Sequence, residues 1–264
     1  MGMMFVLSPA RHIKTAAIDI ACTEPLFAKD TKIILEKLKG YSLWELESIL
    51  KTNANIAMKA FVNIQDFYSS EVFALQKPDS PPDFLPVPIG TVTPAMFAYD
   101  GLVYKHLDPL SLNKQAVEYA QSTMRIVSAF YGLLRPFDGI RPYRLEMQSK
   151  LRIENKNLYD FWDDKIYHSL FEKGNCIFNL ASEEYAKTIR KHLKPWDMFI
   201  DIVFYSIVKG RKKVNTTIAK MARGQMARFI LENGIDDPKP LKDFEWDGFR
   251  YVKSLSDSTR YVFM

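Results

Sequence analysis

The segment Asn175–Val208, NCIFNLASEEYAKTIRKHLKPWDMFIDIVFYSIV, sets two apolar runs on either side of an amphipathic stretch. Asn175 to Leu180 and Phe199 to Val208 read as buried strands, because short continuous apolar runs bounded by turn residues suit a covered sheet. Ser182 to His192 reads as a helix capped by Ser182, with Glu183 and Glu184 in its first turn, where carboxylates oppose the positive helix end. Strand, helix and strand in that order predict a βαβ unit, and hence an α/β fold.

Outward from this unit, Met3 to Leu7 reads as another short buried strand. It stops at Ser8–Pro9 and so puts the polar residues from Ser8 to Lys14 at a strand end, a common place for sites in α/β proteins. Thr31 to Leu50 reads as two helices joined by a tight turn. Ile33, Ile34, Leu35 and Leu38 recur at helical spacing, Gly40 suits a left-handed cap, and Ser42 with Glu45 three residues on makes a capping box. Asn53 to Phe73 reads as a longer helix with Ile56, Ala60, Ile64 and Phe67 in its stripe. The six prolines from Lys77 to Pro94 predict a surface loop, since Pro removes donors that helices and central strands need.

Leu112 to Ser128 reads as a helix. Phe130 to Glu146 reads as an irregular segment that presents aromatic and charged side chains. Arg211 to Val214 predicts a hairpin return, and Thr216 to Asn233 a helix that stops at Gly234. Phe249 to Val252 and Tyr261 to Phe263 are expected as late strands.

With 47% hydrophobic and 25% charged residues in 264, the chain has a globular profile, and disordered and collagen-like classes are excluded. A net charge of +5 fits either an ordinary basic protein or one with a phosphate-bearing partner, and the distribution decides between them. Cys22 and Cys176 lie far apart with no CxxC or Cys/His neighbours, which argues against a disulfide framework or a zinc site and predicts two reduced thiols. No run approaches the roughly 18 apolar residues of a membrane span. The short apolar start is followed by Arg11, His12 and Lys14, the reverse of a secretory leader. A cytoplasmic protein is expected, with no membrane partner.

No GxGxxG, GxxxxGK[ST], HExxH or GxSxG pattern occurs, and His12, His106, His168 and His192 never stand at ligand spacing. No cofactor and no metal site are expected. The basic residues, however, cluster. Arg135, Arg141 and Arg144 fall within ten residues, beside Tyr131 and Tyr143. A second group is Arg211, Lys212, Lys213, Lys220, Arg223 and Arg228. On a helical wheel Lys220 lies opposite Ile218, Ala222 and Phe229, with Arg223 and Arg228 roughly 60 to 80° to either side. That face suits either solvent or phosphate. The Gly40 turn likewise fits an ordinary helical hairpin or a helix-hairpin-helix that sets backbone amides against a phosphate. Arg135, Asp138, Arg144 and Glu146 leave three roles open: a buried ion network, an anion contact, or an acid–base pair.

Four segments resemble the YaaA family of peroxide-stress proteins. Ser8-Pro9-Ala10-Arg11 is similar to the family's opening SPAK, with Arg11 for lysine. SAFYGLLRPFDGIRPYRLEM from Ser128 to Met147 is similar to SGLYGLLRPLDxIxPYRLEM, NLASEEY from Asn179 to Tyr185 to NLASNEY, and KMARGQMAR from Lys220 to Arg228 to KxARGxMAR. The likeness runs nearly end to end, so residues 1–264 are expected to form one domain. There are departures: Leu102 stands where the family has the aspartate of GDVY, and Gln148 replaces the glycine of EMG.

The resemblance implies a mixed α/β fold with a central mixed sheet, surrounding helices, a helix-hairpin-helix element and a positively charged cleft on which the matched motifs converge. It implies binding to double-stranded or structured DNA without sequence preference, and a part in limiting iron-driven oxidative DNA damage. A monomer is expected. The candidate anion-contacting residues are Ser8, Arg11, Arg135, Arg141, Tyr143, Arg144, Asn179, Ser182, Lys220 and Arg223. A competing expectation is an enzyme acting on a nucleotide or nucleobase in the same cleft, with Tyr131, Asp138 and Glu146 as candidates for its chemistry and Ser8, Tyr131, Arg144, Glu146 and Arg223 sharing one pocket.

Overall fold

A computed structural model describes residues 2–16, 18–67, 92–172, 176–208 and 211–264. β1 (Met3–Leu7) and β2 (His12–Ile13) precede three helices, α1 (Ala28–Lys39), α2 (Leu43–Leu50) and α3 (Ala54–Gln65). After them come β3 (Thr93–Pro94), the one-turn α4 (Ala95–Ala98), β4 (Tyr99–Asp100), α5 (Leu102–Leu107) and α6 (Lys114–Thr123). β5 (Met124–Ser128), β6 (Gly132–Leu134), β7 (Gly139–Ile140), α7 (Leu158–Trp162) and α8 (Lys165–Phe171) lead to β8 (Cys176–Asn179) and α9 (Glu183–Arg190). Last are β9 (Met198–Phe204), the ribbon of β10 (Ser206–Val208) and β11 (Arg211–Lys213), α10 (Thr216–Glu232) and β12 (Arg260–Phe263).

The central sheet runs β12-β9-β8-β1-β5-β6. All neighbours pair in parallel except β5 and β6, which form an antiparallel edge, so the sheet is mixed. Every residue of β1 and β8 is buried, which is why both are unbroken apolar runs rather than alternating ones. From β1 the chain steps to β5 on one side. From β8 it steps to β9 on the other. α6 leads into β5 and α9 into β9, and the order reverses between β1 and β8. Such a reversal opens a crevice beyond the strands' carboxyl ends.

Several sequence expectations are corrected. Leu112 to Ser128 is a helix only over α6; its end turns without a break into β5, because MRIVS pairs with Leu7's strand inside the sheet. The run from Phe199 to Val208 divides at Tyr205 into β9 and the ribbon strand β10. Gly40 takes right-handed backbone angles (φ −74°) as α1 gives way to α2, and the left-handed cap falls instead on Lys51 at the end of α2. The Ser42–Glu45 capping box is present. The third helix starts at its Asn53 cap and ends at Gln65. Of Lys77–Pro94, residues 77–91 lie outside the described residues, whereas Val92, Thr93 and Pro94 are buried and β3 pairs with β7. Phe130–Glu146 is largely irregular, as expected, but it holds the short strands β6 and β7 and most of it is buried.

α10 ends as its sequence predicts, with Gly234 at positive φ after the Asn233 cap. It lies along α5, and Gly224 makes that approach possible. A Cβ at Gly224 would overlap the carbonyl oxygen of Val103 and crowd His106 and the Leu107 amide. This close packing sets Lys220 and Arg223, on either side of one helical turn, over the carboxyl ends of the strands.

Candidate functional site

A cleft of about 430 Å³ opens at the crevice between β1 and β8. Its walls come from five parts of the chain: the end of β1 (Ser8 to His12), the β4–α5 junction (Asp100 to Tyr104), the loop Tyr143 to Glu146, the start of α9 (Ser182, Glu184, Tyr185), and α10 (Lys220, Arg223).

Ser8 locks the two strand ends together. Its Oγ accepts a hydrogen bond from the Ser182 backbone N–H at 2.8 Å and donates to the Ser182 hydroxyl at 3.2 Å. Ser182 is the residue before α9, as expected, but its hydroxyl is turned to Ser8 and makes no side-chain cap. The phenol of Tyr104 donates to the Ser8 carbonyl. Beneath the wall, Tyr143 bonds to both Tyr99 and Ser128 at 2.8 Å, and the Ser128 hydroxyl accepts from the amides of Phe130 and Tyr131. Burial pushes the Tyr143 phenol up to about 12 and raises Tyr99 and Tyr104 well above the usual phenol range. All three therefore stay neutral at physiological pH and serve as fixed hydrogen-bonding groups.

The cleft's charges are mixed. Glu146 sits between two guanidinium groups, with Arg144 Nη2 and Arg11 Nε each 2.8 Å from its Oε1. Arg144 is held inside (14% exposed), and its Nε is buried without a hydrogen-bond partner; Arg11 lies on the rim (70% exposed). Glu184 accepts from the Gln148 amide at 3.1 Å, and burial, reinforced by the nearby Glu146 charge, raises its carboxyl above the ordinary range. The α10 cations differ from these. Lys220 is exposed, and Arg223 has no carboxylate within ion-pairing distance among the described residues. The Arg223 Nε is buried and unbonded, and burial lowers its pKa, opposed by the field of Asp201. Leu102 lies on the wall, so an apolar side chain stands there.

Of the residues singled out from the sequence, Ser8, Arg11, Tyr143, Arg144, Glu146, Ser182, Lys220 and Arg223 share this cleft. The others do not line it. Arg135 and Asp138 form a separate ion pair at 2.9 Å, with Asp138 fully buried and further bound by Thr23 Oγ1 and the Arg135 amide. Burial raises the Asp138 carboxyl against the pull of Arg135. Tyr131 is packed edge-on to Phe130 and Tyr143, and its hydroxyl accepts from the Arg141 backbone N–H, so the expected pocket forms without it. The Arg141 guanidinium is buried over the Phe67 ring. Asn179 bridges β8 to β9, donating to Asp201, which Arg190 also holds. Arg228, read as part of a cationic face, instead ties α10 to the end of α5 through the Leu107 carbonyl and Ser111, and pairs with Glu232 at 2.6 Å. The residues missed were Glu184, Tyr104 and Asp100. Glu184 had a signal, since it stands two residues after the strand-end serine, but a first-turn glutamate is also what any helix start attracts.

Both cysteines are buried free thiols. Burial pushes each up to about 11, with the charge of Asp138 adding to it at Cys22 and that of Asp237 at Cys176. At pH 7 only about one in 10⁴ is thiolate, the form that peroxide attacks. Among the described residues no helix is long and apolar enough to cross a membrane, and no three His, Cys, Asp or Glu side chains gather as a metal set.

Fold and site together define an open α/β protein with a charged cleft at its topological switch point. The profile of the family described as "Peroxide stress protein YaaA" matches residues 3–255, and the chain belongs to that family. UPF0246 proteins of Agathobacter rectalis and Lactiplantibacillus plantarum are each 37% identical over 265 residues. They cover 99% of this chain, and it covers 98% and 99% of theirs. A UPF0246 protein of Clostridioides difficile is 35% identical over 264 residues, 99% of each chain.

Proposed function

We propose that this chain acts in the peroxide-stress response by binding nucleic acid, and that the cleft receives one phosphate-bearing nucleotide unit of the strand. The observation that carries this reading is Arg223, a largely buried cation on the cleft wall with no carboxylate partner among the described residues. A buried charge is costly unless paired, so the wall is suited to an incoming anion. A volume of about 430 Å³ is that of a small-ligand pocket, room for a nucleotide and not for a length of duplex. On this account damage is limited by the DNA that the protein covers. This reading puts the contact on α10 rather than on a helix-hairpin-helix at α1 and α2, because the capping box already takes up two of the amides at the start of α2, those of Ser42 and Glu45.

The test is a gel-shift titration of purified protein with single-stranded, duplex and branched DNA over rising salt. Binding at low salt that falls steeply as salt rises supports the reading, and no retardation at low salt removes it. A second reading, chemistry on a free nucleotide or nucleobase, has one observation in its favour. Glu146 and Glu184 are two cleft carboxyl groups in unlike surroundings, one salt-bridged between two arginines and one whose carboxyl burial raises above the ordinary range, an arrangement suited to acid–base work. Turnover of a nucleotide that is lost in Glu184→Gln would establish it.

A further inference from the structure

The 30 residues 202–231 carry seven lysines and arginines and not one aspartate or glutamate. The whole chain has 36 basic and 31 acidic residues, so everything outside this segment holds 29 cations against 31 carboxylates. The entire positive excess of the sequence therefore falls in residues 202–231, which include β10, β11 and most of α10. Arg228 is spent on holding α10 to α5. The ribbon's own cations are not spent. Arg211, Lys212 and Lys213 are all exposed, and among the described residues none has a carboxylate within ion-pairing distance.

Among the described residues, none of the ribbon's side chains belongs to the core. It pairs only within itself in register Ser206–Lys213 and Ile207–Lys212, outside the six-stranded sheet. Strand alternation puts Arg211 and Lys213 on one face and Lys212 with the exposed Ile207 on the other, so both faces carry charge to solvent. A two-stranded ribbon of this kind gains little stability by itself. Its root is two residues from the α10 cap Asn215, and the helix rise sets Arg223 about 12 Å further along the axis. Ribbon and cleft cations thus lie on consecutive elements of the chain, from Arg211 at the ribbon to Arg223 on the cleft wall.

We propose that the β10–β11 ribbon is a nucleic-acid clamp, whose Arg211, Lys212 and Lys213 hold the phosphodiester backbone flanking the nucleotide in the cleft. The inference rests on the nucleic-acid reading of the cleft. A strand of successive phosphates suits a run of exposed, unpaired cations joined by a short stretch of chain to the helix that lines the pocket. An anionic lipid surface would more naturally meet an amphipathic face with a buried apolar side, and here charge lies on both faces of the ribbon.

The test is fluorescence anisotropy of labelled single-stranded and duplex oligonucleotides across salt concentrations, with the full chain and the Arg211→Ala/Lys212→Ala/Lys213→Ala variant. If each cation meets a phosphate, the log–log slope of affinity against salt falls by roughly two to three units in the variant. A thermal melt unchanged from the parent shows that the exposed ribbon was altered without loss of fold. Lys114→Ala, an exposed cation far from the ribbon in sequence, should leave the slope as it was. An unchanged slope in the triple variant, while the parent binds DNA, overturns the clamp and leaves the cleft reading standing. Absence of DNA binding by the parent overturns both. Loss of binding to phosphatidylserine vesicles with DNA binding intact assigns the ribbon to membranes and also overturns the clamp.

Discussion

Arg135–Asp138 and Arg144–Glu146 are two arginine–carboxylate pairs on either side of β7, near-neighbours in sequence, yet the fold treats them in opposite ways. In the first it is the carboxylate that is sealed, while the Arg135 side chain keeps 29% exposure. Asp138 has no exposure, and its oxygens take donors from Arg135, Thr23 and a backbone amide. The second opens into the cleft, where Glu146 is shared with Arg11 from another strand end and Arg144 keeps an unbonded Nε. Sealed, such a pair fixes the path of the loop between β6 and β7. Opened, the same chemistry becomes a wall that a ligand can meet. What separates them is position relative to the carboxyl ends of β1 and β8, not residue type.

That contrast can be broken first at the sealed pair. Arg135→Ala leaves a buried carboxylate without its cation, and the expected loss is about 3–5 kcal/mol in urea unfolding. A loss under about 1 kcal/mol would mean that the Asp138 carboxylate does not depend on Arg135 for its charge partner. A smaller effect is expected on the cleft side from Gly224→Ala, where the added methyl meets the Val103 carbonyl. Strain of about 1–3 kcal/mol should appear in the thermal melt, together with weaker DNA binding as α10 is pushed off α5. Unchanged melting would show that α10 is free to shift.

Cys22 gives the finest readout. Its pKa of about 11 lies above the ordinary 9, because it is buried and near Asp138. A raised folded-state pKa contributes stability that is fully present below pH 9 and lost as pH rises through 11. The parent should therefore lose stability between pH 9 and 11 more steeply than Cys22→Ala. Its thiol should react with peroxide far more slowly in the native than in the unfolded chain. Fast native oxidation would mean that the sealed region opens.

Much of the scaffold was legible in the sequence for identifiable reasons. β1 and β8 are short apolar runs bounded by polar stops, α2 announces itself through Ser42 and Glu45, and α10 ends at Gly234. β5 was not legible, since Met124–Ser128 follows α6 with no breaker and a strand buried on both faces has no alternation to betray it. Eight of the thirteen candidate residues line one cleft. Arg135, Asp138 and Arg228 went elsewhere, because a charged residue looks the same in sequence whether its partner is a ligand or a neighbouring side chain. Only the burial and pairing of each group separated Arg223 from Arg228, five residues apart on one helix.

The most direct measurement is the pair of values, melting temperature and DNA affinity, for Arg223→Met. Removing a buried unpaired charge while keeping its bulk should leave the melting temperature equal or higher. DNA affinity should fall for every sequence tested, with a salt slope lower by about one. A variant that binds DNA as tightly as the parent would contradict the account.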